Sequence, residues 1–127
     1  MSERIVLYIE DNFHNRRIVN KVLTSRGFRV VEAEDGEKGL EMIRAMQPPL
    51  VLLDITLPGI DGIEVVKNVK ADETLRHIPV IAVTASAMRG DKERFLEAGC
   101  DDYLSKPVQV MELAEIVEKH YPAQERK

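Results

Sequence analysis

Short apolar runs alternate along the chain with longer stretches of helical period. The runs are Ile5–Ile9, Phe28–Ala33, Leu50–Leu53, Val80–Val83 and, more weakly, Tyr103–Leu104. Val, Ile and Leu dominate them. The third and fourth are apolar without alternation, as strands read when both faces of a sheet are covered. Between the runs lie candidate helices. Asn15–Arg26 puts Ile18, Val19, Val22 and Leu23 on one stripe, and Gly36–Met46 does the same with Leu40, Ile43 and Met46. Gly62–Ala71 offers Val65, Val66 and Val69, while Asp91–Ala98 offers Phe95 and Leu96. Val110–His120 offers Val110, Leu113, Ala114 and Val117. Spacings of three and four give each helix one buried stripe.

The punctuation agrees with these limits. Gly27 and Gly99 stand where helix C-terminal glycines belong, and Pro48-Pro49 separates the second helix from the third strand. Asp61 is a candidate N-cap after a Pro58-Gly59 turn. No repeat or linker interrupts the pattern, so one domain over residues 1–121 with a short tail at 122–127 is expected.

The order is therefore (βα)5, an α/β fold with a five-stranded parallel sheet. Right-handed crossovers bring every strand to an end on the same edge. In open sheets of this kind ligands bind beyond those carboxyl ends.

Composition narrows the function. The 127 residues suffice for one domain, and a separate output domain within them is not expected. Apolar residues at 44% and charged residues at 31% are ordinary globular values, which excludes general disorder. A net charge of −4 argues against direct nucleic-acid binding, which rests on clustered Lys and Arg. The single cysteine, Cys100, excludes an internal disulfide and a cysteine zinc cage, and reads as a small buried residue. No apolar run approaches the ~20 residues of a membrane span. The start of the chain has no signal-peptide pattern, so a cytoplasmic setting without membrane contact is expected.

The strand ends carry the chemistry. The first gives Glu10-Asp11, the third Asp54, the fourth Thr84 and Ala85, and the fifth Ser105-Lys106-Pro107. Three carboxylates gathered on one rim disfavour one another's ionisation. Lys106 supplies one positive charge, so a divalent cation closes the remaining gap. All candidate ligands are hard oxygens, which favours Mg2+ over zinc. A carboxylate beside Mg2+, a lysine and a threonine hydroxyl suits phosphoryl transfer onto aspartate. The remaining residues read blandly. His14, His77 and His120 look like surface histidines, Met42, Met46, Met88 and Met111 like packing, and Asp101-Asp102 like solvated charge. Asp11 doubles as a candidate cap for the first helix.

The segments Tyr8-Ile9-Glu10-Asp11-Asn12, Leu53-Asp54-Ile55-Thr56-Leu57-Pro58-Gly59, Asp61-Gly62, Val83-Thr84-Ala85 and Asp102-Tyr103-Leu104-Ser105-Lys106-Pro107 together resemble a response-regulator receiver domain of two-component signalling. Ala87-Met88-Arg89-Gly90-Asp91 is also similar to stand-alone cell-division and polarity receivers and to receivers of hybrid histidine kinases. The resemblance implies the doubly wound, flavodoxin-like strand order 2-1-3-4-5. It implies Asp54 as phosphoacceptor, with Mg2+ held by Asp11, Asp54 and the Thr56 main-chain carbonyl, and by Glu10 through water. It implies a phosphoryl-binding and switch set of Thr84, Ala85, Tyr103, Lys106 and Pro107, with a cis bond before Pro107. The implied partners are a histidine kinase or histidine phosphotransfer protein and a downstream protein target. The implied oligomeric state is a monomer or a phosphorylation-dependent dimer, catalysing only its own phosphorylation and dephosphorylation. An alternative is a Mg2+-dependent aspartyl-phosphate phosphohydrolase acting on small phosphomonoesters. That class resembles Asp-x-Asp at the first strand, where this chain has Glu10-Asp11, and needs a cap that no insertion here provides. A flavin or nucleotide binder would need a Gly-rich phosphate loop, which is absent from the sequence.

Overall fold

Each apolar run pairs with its neighbours as a parallel strand, and each periodic stretch returns the chain over one face of the sheet. The computed structural model describes residues 4–55, 62–85 and 91–122. The strands are β1 (Arg4–Ile9), β2 (Phe28–Ala33), β3 (Val51–Asp54), β4 (Val80–Thr84) and β5 (Asp102–Ser105). The helices are α1 (Phe13–Ser25), α2 (Gly36–Met46), α3 (Gly62–Ala71), α4 (Asp91–Ala98) and α5 (Val110–His120). The sheet order is β2-β1-β3-β4-β5, parallel throughout. This is the expected flavodoxin-like order. Thr56, the Pro58-Gly59 turn, Asp61, Met88 and most of the tail lie outside the described residues.

The period of two along each strand sorts side chains into two cores. Leu7, Ile9, Val51, Leu53, Val80 and Ala82 point toward α2, α3 and α4. Val6, Tyr8, Leu52, Ile81, Val83 and Leu104 point toward α1 and α5. Those helices return Val19, Leu23, Leu113 and Val117 to the second core, and Leu40, Ile43, Val65, Val66, Val69 and Phe95 to the first.

Four residues expected on buried stripes are exposed: Ile18, Met46, Leu96 and Val110. Successive helical residues lie about 100° apart, so a stripe that seats Val19 or Phe95 turns Ile18 or Leu96 to its flank. Met46 and Val110 sit at helix ends, as does Met111 one residue on, and all three face solvent rather than packing inward. Helix α1 also begins earlier than expected. Asn12, not Asp11 or Glu10, is its N-cap, and the Asn12 side chain accepts from the Asn15 amide at 2.9 Å.

Gly27 (φ +90°) and Gly99 (φ +117°) take the left-handed backbone expected after α1 and α4. Cys100 is buried as expected, and burial, aided by Asp101, pushes its thiol up to about 12.

Asp101 and Asp102 are not simply solvated. Asp101 Oδ2 accepts from the Val80 amide at 2.8 Å and from Lys70 Nζ at 3.2 Å. Lys70 Nζ also donates to the carbonyls of Arg76 and Ile78. This network ties the end of α3 to the starts of β4 and β5. Asp102 Oδ2 meets His120 Nε2 at 2.8 Å, which joins β5 to the end of α5 and gives His120 a structural partner. Asp101→Ala leaves the Val80 amide without its acceptor. It is expected to lower unfolding stability by about 1–3 kcal/mol in urea titration, and an unchanged midpoint would contradict this.

Candidate functional site

The register of the sheet builds the site. Ile9 pairs with Leu53, Leu53 with Ala82 and Ala82 with Tyr103, so Glu10, Asp54, Val83 and Leu104 form the next row toward the carboxyl edge. Glu10 is two residues beyond Tyr8, Asp54 two beyond Leu52, and Lys106 two beyond Leu104. All three therefore leave the sheet on the α1/α5 side. Sequence distance vanishes because the strands end level with one another.

At that edge Lys106 Nζ lies 2.9 Å from Glu10 Oε1 and 3.3 Å from Asp54 Oδ2. Glu10 is 1% exposed and Asp54 3%, so the ammonium joins two carboxylates withdrawn from water. Burial opposes ionisation of Glu10. Its contacts with Lys106, Asp54 and the Tyr8 hydroxyl outweigh this and hold the carboxyl below the ordinary range. Burial likewise opposes the Lys106 charge, and Glu10 and Asp54 together keep its pKa above the usual lysine value. Burial raises the Tyr8 hydroxyl strongly, reinforced by the Glu10 charge, so it remains a protonated donor.

Further contacts fix Glu10. Its Oε2 accepts from the Asn12 amide at 3.2 Å, and its main-chain carbonyl accepts from Arg16 Nη1 at 2.8 Å. Lys106 is placed through its backbone, whose amide donates to the Thr84 carbonyl at 2.8 Å. The Lys106-Pro107 peptide is cis, as the resemblance implied.

Glu10, Asp11 and Asp54 each present an oxygen, and these atoms lie within 4.8 Å of one another. Glu10 and Asp54 are buried while Asp11 is exposed, so the cluster opens to solvent on one side. Oxygen donors alone, with no imidazole or thiolate among them, fit a hard divalent cation. The acidic cluster can hold a metal ion.

Thr84 and Tyr103 occupy the opposite side of the sheet. Thr84 is buried two residues beyond Ala82, and Tyr103 is half-buried against the α2/α3/α4 core. Ala85 follows Thr84 at the exposed edge, and Pro107 is exposed beside Lys106. The predicted set thus divides into a charged group on one face and a hydroxyl pair on the other.

The sequence reading missed Tyr8, Asn12 and Arg16 as supports of Glu10. The signal was present for Tyr8: it stands two residues before Glu10 on a strand, which puts both on one face. It also missed the steric role of Gly62. A Cβ there would meet Ile55 Cα at 2.6 Å and the Asp54 carbonyl oxygen at 2.8 Å. The Gly62 amide donates to the Ile55 carbonyl at 2.9 Å, so α3 enters directly against the backbone of the site.

A parallel sheet in this order, with two acids after β1, an aspartate ending β3 and a lysine after β5, defines a receiver. The chain belongs to that family: residues 6–118 match the response regulator receiver domain. Among its relatives is the polar-differentiation response regulator DivK of Brucella ovis, 42% identical over 115 residues that cover 91% of this chain and 94% of that protein. The DivK of Brucella anthropi is 41% identical over the same shares. A response regulator structure from Chloroflexus aurantiacus, described as putative, aligns with a TM-score of 0.91 at 30% identity, covering 94% of this chain and 98% of its own. The receiver domain of a sensor histidine kinase from Pseudomonas aeruginosa aligns at 0.88 with 34% identity, covering 96% and 100%. That structure carries a magnesium ion coordinated in its active-site cleft.

Two measurements follow from this geometry. Gly62→Ala must displace main-chain atoms and is expected to destabilise the fold by about 1–3 kcal/mol in urea unfolding; an unchanged midpoint would show that α3 has room to spare. The second concerns pH. Glu10 has a folded pKa below its ordinary 4.5, so its contribution to stability is present above that value and fades as pH falls through the folded one. In metal-free buffer the unfolding free energy of wild type relative to Glu10→Gln should therefore drop on acidification below pH 4.5. A pH-independent difference would contradict the charge pairing.

Proposed function

We propose that this receiver is a phosphorylation-driven signalling switch, with Asp54 as the acceptor. The observation that carries the reading is the buried Asp54 carboxylate at the end of β3, 3.3 Å from Lys106 within a three-acid cluster. An ionised carboxylate needs no base to act as nucleophile.

An Asp54 carboxylate oxygen attacks phosphorus of a phosphohistidine presented by a histidine kinase or phosphotransfer protein. The new O–P bond forms as the P–N bond breaks, and the imidazole nitrogen leaves with the electron pair. Lys106 offsets charge on a phosphoryl oxygen, and the Thr84 hydroxyl is the donor from the other side of the sheet. Asp11 and Asp54, with Glu10 acting through water, would hold Mg2+, which would supply the further positive charge that the acids and the transferred group require.

The aspartyl phosphate adds close to two negative charges and several acceptor oxygens. Thr84 is drawn toward them, and Tyr103, half-buried on the same face, turns into the vacated space. The readout is the surface of α4, β5 and α5, which changes its affinity for a downstream protein. Moving such a surface from 1:99 to 99:1 takes about 5.5 kcal/mol of differential stabilisation. The chain acts as catalyst only on itself, in gaining and losing its phosphoryl group, in a cytoplasmic setting.

Incubation with acetyl phosphate and Mg2+ should give a single phosphoryl adduct by intact-mass measurement. Asp54→Asn or excess EDTA should abolish it. Adduct formation by Asp54→Asn at the wild-type rate would overturn the assignment, and sustained turnover of a phosphate monoester would favour a phosphohydrolase instead.

A further inference from the structure

Tyr8 is wholly buried on β1, in the core shared by α1 and α5. An aliphatic side chain would fill a strand position there without a polar atom to satisfy. The hydroxyl instead donates to Glu10 Oε1 at 2.8 Å, the same oxygen that Lys106 Nζ meets at 2.9 Å. Glu10 Oε2 accepts from the Asn12 amide at the longer distance of 3.2 Å. One carboxylate oxygen is thus shared between a neutral donor set in the core and a charged one on a long flexible stem.

The sharing matters when Lys106 is needed elsewhere. Its ammonium sits nearer Glu10 than Asp54, so contact with a phosphoryl oxygen on Asp54 draws it away from Glu10. Glu10, being 1% exposed, has little bulk water to turn to, and the Asn12 amide reaches only its other oxygen. A buried acceptor stripped of its donors is strongly disfavoured. Tyr8 cannot follow Lys106, because its ring is locked in the core.

We propose that Tyr8 is a positioning residue that frees Lys106: its hydroxyl keeps Glu10 oriented and hydrogen-bonded while the ammonium passes to the phosphoryl group. The proposal rests on Asp54 as acceptor and Lys106 as phosphoryl ligand. Without the hydroxyl, Glu10 holds Lys106 more tightly, and phosphoryl uptake slows. The effect exists only while there is a lysine to release.

The test is a double-mutant cycle on the rate of phosphoryl uptake from acetyl phosphate at saturating Mg2+, with wild type, Tyr8→Phe, Lys106→Met and the double variant. Tyr8→Phe is expected to slow uptake about fivefold in the wild-type background, the effect of one hydrogen bond. In the Lys106→Met background its effect should fall below about twofold, because the two residues act through one carboxylate. A merely structural role gives the same factor in both backgrounds, and that result, or no slowing in either, overturns the proposal. Thermal unfolding accompanies each variant. If Tyr8→Phe fails to fold, Tyr8→Ile replaces it in the same cycle. Asp54→Asn separates the two layers of the reading. If it still takes up phosphoryl and Lys106→Met is fully active, the acceptor assignment fails and this proposal with it. If Asp54→Asn is inert and Lys106→Met is slow, but the cycle shows no coupling, only the role of Tyr8 fails.

Discussion

The contact on which the site depends is the Lys106 ammonium between the carboxylates of Glu10 and Asp54. Two acids so little exposed cannot both stay ionised at close range without a cation between them. Lys106 is that cation, and the sheet delivers it. Its backbone amide is anchored on the Thr84 carbonyl at 2.8 Å, so the end of β4 sets where the ammonium begins its reach. The same register that levels the strand ends sets where the acids stand. Fold and electrostatics are here one arrangement, since a one-residue slip of any of these strands would turn its charged residue to the wrong side.

The sheet is also a partition. Glu10, Asp54 and Lys106 lie toward α1 and α5, while Thr84 and Tyr103 lie toward α3 and α4. Chemistry on one face can reach a surface on the other only past the end of the sheet, where no strand stands between them. There the Lys106 amide donates to the Thr84 carbonyl at 2.8 Å, tying the end of β4 to the residue after β5 beside the acidic cluster.

Much of this was legible in the sequence. Strands that are apolar on both faces announce a covered parallel sheet, and a parallel sheet must gather its strand ends. Glu10, Asp11, Asp54 and Lys106 therefore came together on topology alone. What the pattern could not supply was the second layer of support. Periodicity names a stripe without saying which flank the neighbouring elements cover, so it does not separate Ile18 and Leu96, which are exposed, from the buried residues beside them. Asp101 and Asp102 looked solvated because their partners, Val80, Lys70 and His120, lie at least 18 residues away and meet them only through the fold. Tyr8 looked like one more apolar strand residue because its aromatic ring hid the hydroxyl that Glu10 uses. The close approach at Gly62 depends on where α3 meets the backbone, which no local signal reports.

A high-resolution structure of the protein with Mg2+ and beryllofluoride, a stable stand-in for the phosphoryl group, should show the fluoride group on Asp54, the metal among the three acids, and Lys106 Nζ moved off Glu10 onto a fluorine. A fluoride group bound away from Asp54, or Lys106 still paired with Glu10 while the group is in place, would contradict this.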